Sequence, residues 1–233
     1  MNEKLNMTTL REQVYLHLRE LLHNGRYLPG STIHIGETAK RLGVSKTPLR
    51  DAFIQLELEG FVSIQPRRAI LVNGMTLRDV ENAYGIVGAL EASVILKEFN
   101  RIEASHLERM EALNDQMIAD VGRDDFRSYY EKNLSFHDVC LELSDNTTLK
   151  KVILPIKQRL YDFPRKSYIQ EWELRNCWEH LQFIDLIKKG DREGAAKLLT
   201  DVHWSYEAQE AYIRKFHSLV AEEIRGRKCR LCR

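Results

Sequence analysis

Cysteine is scarce in this chain: Cys140, Cys177, Cys229 and Cys232 are the only four in 233 residues. Four scattered thiols do not make the disulfide framework of a small secreted domain, so a reducing cytoplasm is the expected compartment. Long apolar runs are missing too. None approaches the roughly 18 residues that a membrane helix needs, and no basic-then-apolar leader opens the sequence. A membrane is therefore not an expected partner. Low-complexity segments and repeats of fixed period are also absent. The net charge is only +1, which by itself points to no polyanion.

What remains is an ordinary globular composition, 43% apolar and 30% charged, over a length that fits one large or two modest domains. The charge is unevenly spread. Residues 1–74 carry 10 Lys/Arg and 7 Asp/Glu, residues 75–224 carry 20 and 27, and the last nine, RGRKCRLCR, add five cations. A mildly basic head on an acidic body is the asymmetry expected when only the head meets nucleic acid.

From Thr8 to Asn24 apolar residues recur at helical spacing (Leu10, Val14, Leu18, Leu21, Leu22), and GRYLPG stops the pattern. IGETAKRL reads as a second helix, GVS as a turn, and LRDAFIQLELEG as a third helix with Gly60 as its C-cap. FVSIQ and AILVN, separated by PRR, read as a hairpin. Beyond residue 74 the pattern changes to amphipathic helices over about 77–98, 102–120, 124–143, 146–163, 171–189 and 192–222, with short polar breaks. That change of structural class predicts a domain at 1–74, an all-helical bundle at 75–222, and a disordered basic tail at 223–233.

The stretch GVSKTPLRDAF, residues 43–53, decides the head. Ala39, Gly43 and Leu49 sit where a helix-turn-helix needs a small residue, a tight turn and an apolar plug. Ser45 can cap the following helix, and Pro48 is tolerable in a first turn, whose amides have no partners to lose. Leu49, Phe53 and Leu56 form the core stripe. Lys46 and Arg50, four apart, project on another face together with Thr47. A first turn offering two cations and a hydroxyl suits phosphates and base edges in a major groove. Arg67 and Arg68, at the hairpin tip, would touch the neighbouring groove.

YLPGSTIHIGETAKRLGVSKTPLRDAFIQLELEGFVSIQPRR resembles the winged helix-turn-helix of the GntR family of bacterial transcriptional regulators, and the likeness spans residues 10–72. The resemblance implies a double-stranded DNA operator as partner, with Ser45, Lys46, Thr47, Arg50, Arg67 and Arg68 as the DNA-binding residues. Two positions depart from the family pattern. Lys46 stands where arginine is usual, which removes the bidentate grip on guanine. Ala69 stands where the wing carries glycine, which holds the backbone further from the minor groove.

In the body, three histidines occupy apolar helix faces. His137 follows Phe126, Tyr130 and Asn133; His180 lies with Cys177, Ile184 and Ile187; His203 lies with Leu199 and Tyr206. Inward imidazoles need partners, so these are either hydrogen-bonded core residues or ligands of one shared divalent ion. Asn133 and His137, one turn apart, can converge on a single point. NLSFH, SDNTTL, EH with LIKKGD, and AAKLL before His203 resemble the FCD ligand-binding domain of the FadR-like GntR branch. That likeness implies a Zn ion (or Ni or Mn) on Asn133, His137, His180 and His203, with asparagine replacing the family's aspartate and one negative charge lost. It also implies a small-molecule effector. Val87 replaces the arginine of the family's R-x-x-L-E pattern, which disfavours carboxylate effectors that rely on it. Arg159, Tyr161 and Arg175 are further candidates to touch an effector.

The single C-R-L-C pair in the tail cannot close a four-ligand zinc site alone. The expected protein is mainly α, a winged helix-turn-helix joined to an FCD-like bundle. It is not an enzyme but a ligand-responsive regulator acting as a homodimer on a palindromic operator. The rival readings are a metal-dependent bundle enzyme and a regulator whose effector pocket holds no metal.

Overall fold

The computed structural model describes residues 9–65, 69–161 and 168–231. Contacts divide the chain into two units. The head is Met1–Met75 with Gln158–Lys166 and Glu223–Arg233; the bundle is Thr76–Lys157 with Ser167–Glu222.

In the head, α1 (Leu10–His23) starts at Thr9, whose hydroxyl accepts the Glu12 amide, and α2 (Ile35–Leu42) ends on Gly43. Gly43 has φ +65°, a left-handed turn that costs little only without a side chain. α3 (Lys46–Leu58) follows. Leu49, Ala52, Phe53 and Leu56 on α3 are completely buried, and α1 packs across them through Val14, Tyr15, Leu18 and Leu22. The predicted hairpin forms as β2 (Val62–Ile64) and β3 (Ala69–Val72). A strand that the sequence pattern did not reveal, β1 (Thr32–His34), pairs with the other edge of β3, giving the antiparallel order β1-β3-β2. Three residues are too short to show an alternating pattern. Ile70, opposite both Ile33 and Ile64, is fully buried at the centre.

The helices of the bundle are α4 (Leu77–Glu98), α5 (Ala104–Gly122), α6 (Phe126–Glu142), α7 (Thr147–Tyr161), α8 (Gln170–Lys188), α9 (Arg192–Leu198) and α10 (Tyr206–Leu231), of which α7 from Gln158 and α10 from Glu223 are grouped with the head. α4 is opened by a reciprocal cap in which Thr76 and Asp79 satisfy each other's amides. α5 packs on α6 and α8, and α4 packs on α9.

Two expectations need correction. The predicted single helix over 192–222 is broken by a π-helical turn, Leu199–His203. The break has a packing cause: a Cβ on Gly88 of α4 would lie 2.9 Å from the Cβ of Trp204, so this glycine lets the turn close onto α4. The predicted disordered tail is also different, because α10 continues to Leu231. Only one glycine, Gly226, interrupts a run of helix-forming residues there.

Candidate functional site

On the head, Ser45, Lys46, Thr47 and Arg50 are all exposed around the start of α3, while Leu49 between them is completely buried. The stripe that anchors the helix and the face that projects from it are thus separate. Ser45 occupies the N-cap position with extended backbone, but its hydroxyl makes no capping hydrogen bond, contrary to the capping role its position suggested. Arg67 and Arg68 lie outside the described residues.

The bundle brings His137 (α6), His180 (α8) and His203 (π turn) together, one ring nitrogen from each lying within 4.8 Å of the others. All three are buried. Each presents its Nδ1 to an oxygen: His137 to Glu91 at 2.9 Å, His203 to Glu179 at 2.8 Å, and His180 to Asn114 at 3.2 Å. Carboxylate acceptors fix the Nδ1–H tautomer of His137 and His203, which leaves an unshared pair on each Nε2. Those two Nε2 atoms face one another at 3.2 Å, and the buried His180 Nε2 has no hydrogen-bond partner.

Three unprotonated imidazole nitrogens turned toward one another repel unless a proton or a metal ion lies among them. Imidazole nitrogens on one zinc ion, each about 2.0–2.1 Å from it, stand about 3.3 Å apart. The donor set and its spacing therefore fit a divalent ion, with Glu91, Glu179 and Asn114 as the outer partners that orient the rings. Asn133, one turn before His137 on α6, is buried as well.

Glu91 and Glu179 belong to this buried cluster, and histidine spacing did not reveal them. Glu91 Oε2 accepts from Trp204 Nε1 at 2.8 Å as well as from His137, and its Oε1 meets Lys157 Nζ at 2.8 Å. Burial raises the Glu91 carboxyl, but His137 and Lys157 outweigh it and hold the group below the usual carboxylate range. Burial is also the main reason His137 is lowered to about 4, so its ring is neutral and free to donate from Nδ1. Burial, reinforced by the neighbouring imidazoles, likewise puts His180 well below its ordinary value.

Glu179 Oε1 accepts from Gln209 and from Arg175, each at 2.9 Å. Arg175 therefore braces the carboxylate behind His203 and also lies over the Tyr212 ring, 5.7 Å from its centroid. Arg159 falls in the segment grouped with the head, and the Tyr161 side chain lies outside what is described. Cys140 and Cys177 are buried thiols pushed up to about 12 by burial, so neither offers a thiolate at neutral pH.

Comparison with known proteins agrees with both halves of this architecture. Residues 10–72 match the family model described as bacterial regulatory proteins, gntR family, and residues 83–203 match the FCD domain. The HTH-type transcriptional repressor RspR of Escherichia coli is 26% identical over 206 residues, covering 84% of this chain and 87% of that protein. The HTH-type transcriptional regulator YdhC of Bacillus subtilis is 25% identical over 201 residues, covering 84% and 88%. Among solved structures, Escherichia coli McbR/YncC superposes with a TM-score of 0.69 at 18% identity over 93% of this chain and 99% of that one. The Listeria monocytogenes protein Lar gives 0.59 at 22% identity over 89% and 99%. A cationic helix start on a winged head, followed by a histidine-centred helical domain, thus has its place among known proteins: the chain belongs to the GntR family of bacterial regulators, as a DNA-binding transcriptional regulator with an FCD domain rather than an enzyme.

Proposed function

We propose that this regulator acts in the cytoplasm as a homodimer that reads a palindromic operator and responds to a small molecule through its bundle. The observation that carries the DNA half is the exposed first turn of α3. Lys46, Thr47 and Arg50 project while Leu49, Phe53 and Leu56 lock the helix into the core. Arg50 and Thr47 would meet base edges and phosphates, Lys46 a phosphate as a point charge, and Ser45 a phosphate at the helix start. Arg67 and Arg68 would serve at the wing. One such helix covers a single half-site, so two-fold pairing with half-sites about 34 Å apart gives the length of site that specificity needs. Leu174, Trp178 and Leu181 form an exposed stripe along α8, and Ile118 is exposed on α5, which packs beside it. Such an open apolar face suits a second copy.

The converging Nε2 atoms carry the bundle half. His137, His180 and His203 would hold a divalent ion, zinc, nickel or manganese, with Asn133 as a fourth, neutral ligand. When bound, the ion supplies a Lewis-acidic position at which an effector can coordinate. Glu91 and Glu179 keep the rings in the metal-ready tautomer. Effector binding would then shift the population of head arrangements and so the fit to the operator.

In vitro selection from random duplexes, followed by fluorescence anisotropy, tests the head: a two-fold symmetric site is expected, and Arg50→Ala should lose it. Retained affinity in that variant overturns the assigned face. Elemental analysis of protein purified without added metal tests the bundle; less than about a tenth of an equivalent counts against the ion and favours a metal-free effector pocket.

A further inference from the structure

The cavity lined by Glu91, His137 and Cys140 has a volume of about 10 Å³, no more than one water needs. A second cavity, of about 190 Å³, lies between α6 and α7. Its walls include Leu134 and Leu141 from α6 and Ile153 and Leu154 from α7. Lys157 also lines it and is only 1% exposed.

An ammonium carries three N–H donors. Glu91 Oε1 lies 2.8 Å away as an ion pair but is not placed to accept a hydrogen bond, Asp138 Oδ1 is beyond reach at 3.9 Å, and the buried ammonium has no hydrogen-bond partner. Nor does Glu91 belong to Lys157 alone, since its other oxygen serves Trp204 and His137. A buried cation with donors to spare, set in the wall of an aliphatic space, lacks an acceptor. The other charges around the cavity do not supply it. Glu142 is held by Arg109 at 2.8 Å, and Asp138, 45% exposed, has its own carboxyl raised by burial, so it is a poor partner for the ammonium. Lys150 adds a second cation to the lining.

We propose that the cavity between α6 and α7 binds a small monocarboxylate with an apolar body, its carboxylate on Lys157 Nζ and its body against the four aliphatic walls. The site lies across Glu91 from His137, uses no histidine, and needs no metal. It therefore stands or falls independently of the ion proposed above.

Isothermal titration calorimetry of the full chain tests it, with benzoate and hexanoate as probes and benzyl alcohol as the uncharged comparator. Each probe is run after chelation and again with zinc. At least one carboxylate should bind saturably, about tenfold or more tighter than the alcohol, because a charge-assisted hydrogen bond is roughly twice as strong as a neutral one. Leu154→Trp, at a half-exposed wall position, fills the cavity while leaving the Lys157–Glu91 pair in place; it should weaken binding about tenfold or more, as should Lys157→Met. Chelation should change nothing. The proposal is overturned by any of four results: no saturable binding of either carboxylate, equal affinity for the alcohol, indifference to Leu154→Trp, or loss of binding on chelation. The first would mean that water satisfies Lys157, and the last that the acid binds at the histidines.

Discussion

The head and the bundle are both helical units with well-formed cores, but they keep their polar residues in opposite places. The head's core is built from apolar residues such as Leu18, Leu49, Phe53 and Ile70, with Thr38 the one polar residue buried among its described residues, and Ser45, Lys46, Thr47 and Arg50 are exposed. The bundle encloses Glu91, Glu179, Lys157, Gln209 and three histidines at its centre. In the head, fold and function are therefore separable at the level of single side chains. In the bundle they are one network, because a buried charge left without its partner is expensive wherever it sits.

The strongest way to break that contrast is Glu91→Ala. It would strand the Lys157 ammonium, the His137 Nδ1–H and the Trp204 indole N–H together. A loss of about 3–5 kcal/mol in urea-unfolding stability is expected, with part of it recovered in the Glu91→Ala/Lys157→Met double variant. A loss below about 1 kcal/mol would show that the network is solvated and the contrast false. Next in size is the response to metal. At a hundredfold excess over its dissociation constant, zinc should stabilise the wild-type chain by about 2.7 kcal/mol in thermal melts. His180→Ala should abolish that shift, and an undiminished one would sink the ligand assignment.

The two regions also differed in how much their sequences disclosed. In the head, local pattern and chemistry coincide: Gly43, the Leu49–Phe53–Leu56 stripe and the outward Lys46 and Arg50 are all readable from spacing alone. What escaped was β1, which exists only because β3 offers it an edge. In the bundle, the inward histidines betrayed themselves by lying on apolar faces. Glu91 and Glu179 were passed over because a glutamate on a long amphipathic helix looks solvated, although Glu91 lies in one row with the buried Val87 and Ile95. The signal that could have exposed Glu91 is Gly88, one turn earlier on α4, a small residue on a buried face that admits Trp204. The π turn was unreadable for a similar reason: it follows from that close approach, not from helix propensity.

Arg50→Ala sharpens the contrast from the other side. Operator affinity should fall by about 1–3 kcal/mol, measured by anisotropy on the selected duplex, with the salt dependence reduced. Because Arg50 is exposed, the unfolding free energy should change by less than about 0.5 kcal/mol. A stability loss of the size expected for Glu91→Ala would mean that the recognition helix has a structural charge after all.

The smallest effect discriminates most finely, since it compares one hydroxyl in each region at the same helix position. Thr76 and Ser45 both stand at N-caps. Thr76 accepts the Asp79 amide at 3.1 Å inside a full reciprocal cap, whereas Ser45 makes no capping bond at all. Thr76→Ala should therefore cost about 1 kcal/mol of stability, and Ser45→Ala no more than a few tenths. A serine at a cap that does not cap has its hydroxyl available for something outside the protein, and under the proposed function that is a DNA phosphate at the start of α3. Ser45→Ala should then weaken operator binding while leaving the thermal midpoint in place. Should the midpoint fall and the affinity hold, Ser45 is an ordinary helix cap and the DNA-facing surface begins at Lys46.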